Sequence, residues 1–92
     1  MWAIENSIIE NQKLNNAQLK IAVLAALAGD WHASHDIAQD YKDLTACWLR
    51  AVLHKIEGDQ GNSRYWYAKA QRHYDDYTDS ALELTELLNQ LQ

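Results

Sequence analysis

Apolar positions in this chain recur at intervals of three and four residues, the period of helices that pack through one face. Leu19, Val23, Ala26 and Leu27 form one stripe, and Ile21, Leu24, Ala25 and Ala28 form a second. Together they predict a helix over about 17–28 that is apolar nearly all round and sits in the middle of a bundle. Asn16 can cap its start, and Gly29 can end it. Residues 1–13 are read as a short helix or an ordered arm, because Ile4 and Ile8 lie one turn apart and Trp2 can dock.

The pattern resumes four more times. Asp30 caps a second helix over about 31–41, with Trp31, Ser34, Ile37, Ala38 and Tyr41 facing inward and His32, Asp36, Gln39 and Asp40 facing out. Asp43 or Thr45 opens a third, reaching about Glu57. Its core stripe is Trp48, Leu49, Val52, Leu53 and Ile56, and its opposite face carries Cys47, Arg50, His54 and Glu57. Asn62 or Ser63 opens a fourth over about 63–76, with Trp66, Tyr67, Ala70, Tyr74 and Tyr77 inward. Ser80 and Glu83 have capping-box spacing for a last helix lined by Ala81, Leu84, Leu87, Leu88 and Leu91.

Two of the breaks are alike. Gly29-Asp30 and Gly58-Asp59 each place a helix-stopping glycine before a polar cap. Short connections of this kind lay two helices side by side and antiparallel. The expected fold is therefore all-α and forms one domain over 1–92. Its four to five helices make two antiparallel hairpins plus a closing C-terminal helix, as a compact bundle or a stack like that of tetratricopeptide repeats.

Composition narrows the function classes. The chain has no proline and only three glycines, and its net charge is -5. The acidic residues are dispersed, and no basic footprint for nucleic acid is visible. The longest apolar run, residues 21–28, is too short to cross a bilayer. Cys47 is the only cysteine, which suits a reducing cytoplasm, and the first residues do not form a signal peptide. The expected partners are proteins, either self or other. Neither nucleic acid nor a membrane is expected, and no cofactor is called for.

His54 and Glu57 are three apart and so are neighbours on one helix, with Arg50 a turn earlier. If the second helix packs alongside, His35 faces His54. Such a set is either hydrogen-bonded packing or a site for a divalent metal or proton transfer. No complete metalloprotease or di-iron motif accompanies it. Cys47 lies too far from His54 for a thiol–imidazole pair. Tyr65 falls outside the core face beside Lys69 and Arg72, a combination suited to contacting a partner.

Two resemblances follow. Ala51, Gly58-Asp59, Ser63, Tyr67 and Ala70 resemble the small and bulky positions of a tetratricopeptide hairpin, although the spacing is short of the usual repeat of about 34 residues and no terminal proline is present. Gly29-Asp30-Trp31 with His35, then Trp48-Leu49, then Leu53-His54-x-x-Glu57-Gly58-Asp59-x-x-Asn62-x-x-Tyr65-Trp66-Tyr67-x-x-Ala70 resemble a group of short bacterial all-helical proteins. That resemblance implies an all-α fold and brings no mechanism. The chain departs from the group at Arg50, where the group favours histidine. The function expected is a small helical protein–protein interaction or scaffold module. The alternative is a metal-binding or acid/base site built on His35, His54 and Glu57.

Overall fold

The long helix α1 runs from Trp2 to Leu27 without a break. The computed structural model describes the backbone of residues 2–92 and the side chains of residues 11–92. The separate N-terminal arm expected over 1–13 is therefore part of α1, from Trp2 onward. No glycine or proline precedes Gly29, so nothing in this stretch stops a helix. Asn16 does not cap a start; it lies inside α1, where its Oδ1 accepts from Gln12 Nε2 at 3.0 Å. The remaining helices are α2 (Trp31–Ala38), α3 (Leu44–Ile56), α4 (Gln60–Ala70) and α5 (Ser80–Gln90), with a 3-10 turn at Tyr74–Asp76. There is no strand among the described residues.

Both Gly-Asp joints are built as expected, and by the same bonds. Gly29 has φ +86° and Gly58 has φ +85°, in the left-handed region that costs glycine least. At the first joint Gly29 N–H donates to Ala26 O and Asp30 N–H to Ala25 O. At the second, Gly58 N–H donates to Lys55 O and Asp59 N–H to His54 O. Each aspartate also caps the helix that follows: Asp30 accepts from Ala33 N–H and Asp59 from Asn62 N–H. So α1 folds back onto α2, and α3 onto α4, while α5 packs against α1 and α3.

The central helix is α3, not α1. Ala46, Cys47, Trp48, Leu49, Ala51, Val52, Leu53 and His54 are all buried, leaving Arg50 as the break in an enclosed cylinder. In α1 only Leu19, Ala22 and Val23 among the described side chains are buried, and Ile21, Leu24 and Leu27 face out. The two helices have similar apolar content but different coverage, since α2, α4 and α5 all pack on α3. Ile56, expected in the core, is also exposed at the end of α3. Small residues allow α4 its close approach to α3. Buried Ser63 donates from Oγ to Ala51 O at 2.7 Å.

The fourth helix ends at Ala70, so Tyr74 and Tyr77 lie beyond it. Gln71 takes the left-handed conformation (φ 60°) that stops it. The last helix starts on Asp79, whose Oδ1 accepts from Ala81 and Leu82 N–H. Glu83 is therefore not part of a capping box. It is 1% exposed, and its Oε2 accepts from Trp48 Nε1 at 2.8 Å and from Tyr67 hydroxyl at 2.6 Å. Its Oε1 accepts from Lys55 Nζ at 3.1 Å.

Two predictions follow from this buried carboxylate. Glu83→Ala leaves Trp48 and Tyr67 without their acceptor and Lys55 without its counter-charge, and is expected to cost about 3–5 kcal/mol in urea unfolding. Burial first, and then the hydrogen bond to Glu83, raise the Tyr67 hydroxyl far above its ordinary pKa. Above about pH 10 the unfolded chain releases that proton and the folded chain keeps it. Stability should thus fall as pH rises past that point, and the decline should be shallower in Tyr67→Phe.

Candidate functional site

Helices α2 and α3 bring together the residues whose convergence the sequence left open. The His35 and His54 rings lie edge to face with centroids 5.5 Å apart. His54 Nδ1 is 2.6 Å from Glu57 Oε1. The spacing of three residues accounts for the second contact. The first depends on α2 lying across α3, and Trp31 holds it there. The Trp31 indole N–H donates to Leu53 O at 2.7 Å, and its ring stacks on His35 at 4.8 Å.

His54 does not lie on an outward face as expected. It is buried, at the edge of the core under Trp31 and His35. Cys47, assigned to the same outward face, is buried as well. Both shifts have one cause: α2 and α4 cover the side of α3 that its own polar residues mark as solvent-facing. Burial, followed by the nearby charges of His54 and Arg50, holds the His35 imidazole below the ordinary histidine range.

Arg50 does not join the cluster by contact. Its guanidinium lies over the Trp66 ring, 3.8 Å from the centroid. It lines an open pocket of about 320 Å³ with Tyr41, Lys42, Cys47, Trp66 and Lys69. Of the three expected partner contacts, Tyr65 and Lys69 are exposed on α4, with the Lys69 ammonium 5.2 Å from the Tyr65 ring centroid. Arg72 is turned inward: it stacks on Trp48 at 3.5 Å and donates to Gln90 Oε1 at 3.0 Å.

Asp59 is the member of this corner that sequence reasoning passed over. Its carboxylate approaches His54 and Glu57 while it caps α4, receiving both the backbone and the side-chain N–H of Asn62. The Asn62 side-chain bond, then the backbone bond, lower its pKa. The signal was present, because a glycine at position 58 with positive φ turns the next residue back toward the helix just completed. His32 and Asp36, one helical turn apart, are both exposed and form no ion pair, and the same holds for His73 and Asp76.

No protein-family model, no curated protein and no solved structure matches this chain.

Burial raises the Cys47 thiol pKa, outweighing the opposing pull of Arg50. The thiol lies 3.7 Å from Lys42 O, which accepts from it. It should therefore be a poor nucleophile. Alkylation by iodoacetamide at pH 8 is expected to run at least about tenfold slower in the folded protein than in urea. Equal rates in the two states would show that the thiol is accessible.

Proposed function

We propose that the protein is a helical interaction module that pairs with a second copy of itself through α1. The observation that carries this reading is the row Leu14, Ala17, Ile21, Leu24 and Ala28, every member of which is exposed. Leu14 is 65% exposed, Ile21 52% and Leu24 54%. The spacing of three, four, three and four is the a/d seam of a coiled coil, which a helix presents to another helix. A seam with three large aliphatic residues left in water is unfavourable, and covering it removes apolar surface from solvent.

The order of residues favours a second copy as the occupant. In an antiparallel pair about a two-fold axis, Leu14 of each copy meets Leu24 of the other, and Ala17 of each meets Ile21 of the other. Such an interface is self-complementary, as two-fold pairing requires. Lys13 and Lys20 are the only charged residues over 11–28 and flank the seam. The whole chain carries a net charge of -5, so two copies repel at long range, and added salt should tighten the pair by screening. Tyr65 and Lys69 lie on α4, which makes no contact with α1 among the described residues, so pairing leaves them accessible to another protein.

Light scattering during size-exclusion chromatography tests the reading. The purified protein is expected to run as a dimer at micromolar concentration. Ile21→Glu buries a charge on each side of the interface and should weaken it roughly 100-fold or more, without loss of helical content. A wild-type monomer at hundreds of micromolar, or a dimer indifferent to Ile21→Glu, would overturn it.

A further inference from the structure

One corner of the molecule gathers three ligand groups, an imidazole and two carboxylates, that ordinary helix packing does not need in one place. A ring nitrogen of His54 and a carboxylate oxygen from each of Glu57 and Asp59 all lie within 4.8 Å of one another. His54 belongs to the last turn of α3, Glu57 follows its end, and Asp59 begins the next helix. The positive φ of Gly58 folds this short stretch back on itself. Each pair has a local explanation: the 2.6 Å His54–Glu57 contact is an i, i+3 pair, and Asp59 is a helix cap. The Gly58 turn brings the cap to the pair, and of the two Gly-Asp joints only this one has ligand side chains in those places, where the first has Ala25 and Ala28.

We propose that His54, Glu57 and Asp59 bind a divalent transition-metal ion of the zinc type. One neutral imidazole and two carboxylates balance a dication. A nitrogen donor among the ligands favours zinc-like ions over magnesium or calcium, which prefer all-oxygen shells. Three protein ligands leave a fourth tetrahedral position, the arrangement of an open site.

The surroundings are organised in advance. His54 is buried and its ring is held by Trp31 and His35, so the imidazole needs no ordering on binding. Ligand atoms about 2.1 Å from a tetrahedral ion stand about 3.4 Å apart. The His54–Glu57 pair therefore opens slightly, and the more distant pair draws in. Glu57 is exposed and its carboxylate forms no other hydrogen bond among the described residues, so this movement costs little. Asp59 can keep both bonds to Asn62, since each carboxylate oxygen has a second lone pair.

Isothermal titration of the purified full-length chain with zinc chloride, and with magnesium chloride as a control, tests the site. One zinc per chain at micromolar affinity is expected, with no comparable heat from magnesium. Asp59→Asn keeps a helix-capping side chain and Glu57→Gln is isosteric, so both should fold. Each should bind zinc at least about tenfold more weakly, whereas a His32→Gln/His73→Gln double variant should bind like wild type. Undetectable binding at hundreds of micromolar zinc would overturn the proposal, as would unchanged affinity in Glu57→Gln and Asp59→Asn. The site does not depend on pairing through α1, so Ile21→Glu should bind zinc as wild type does.

Discussion

A single buried carboxylate governs how the helices of this protein fit together. Glu83 of α5 accepts from the indole of Trp48 on α3, the hydroxyl of Tyr67 on α4 and the ammonium of Lys55 on α3. Each donor needs a partner once it is removed from water, because an unpaired buried donor costs the desolvation of that group. The ionic part of this network is weak evidence for net stability, since burying both charges is itself costly. Its stronger consequence is geometric. A slip of α5 by one turn would leave the Trp48 and Tyr67 donors unsatisfied and the Lys55 ammonium without its counter-charge, so the positions of α3, α4 and α5 are set together.

The Gly-Asp joints supply the other constraint, and they act by backbone. At each, the aspartate N–H closes the preceding helix while its carboxylate opens the next. Gln71 offers an instructive contrast. It stops α4 with the same left-handed turn, but Arg72 follows instead of a capping residue, and the chain runs on into a 3-10 turn. The two joints also differ in what they carry. The residues in the places of His54 and Glu57 are Ala25 and Ala28 at the first joint, so an identical turn there gathers no ligand groups.

Helix number, the two joints and the all-α class were legible because they depend on local chemistry: period, glycine and caps. What failed depended on neighbours. Helices α1 and α3 have comparable apolar content, and nothing within either says which one will be enclosed. His54 and Cys47 were placed outward by their own helix's polarity, whereas the packing of α2 and α4 decided the matter. Glu83 fitted a capping box with Ser80, but Asp79 stands one residue earlier and takes the cap, which frees Glu83 for the core. The meeting of His35 with His54 could be framed from sequence only as a condition, because it rests on Trp31 reaching a carbonyl of another helix.

Lys55 also donates to the carbonyls of Tyr74 and Tyr77, at 2.9 and 3.1 Å. The stretch from α4 to α5 has little backbone pairing of its own, and one ammonium group stands in for it. That group is the same one that neutralises Glu83. The connecting segment and the last helix therefore share a fastening, and they form one cooperative unit in local unfolding rather than a loose loop beside a firm helix.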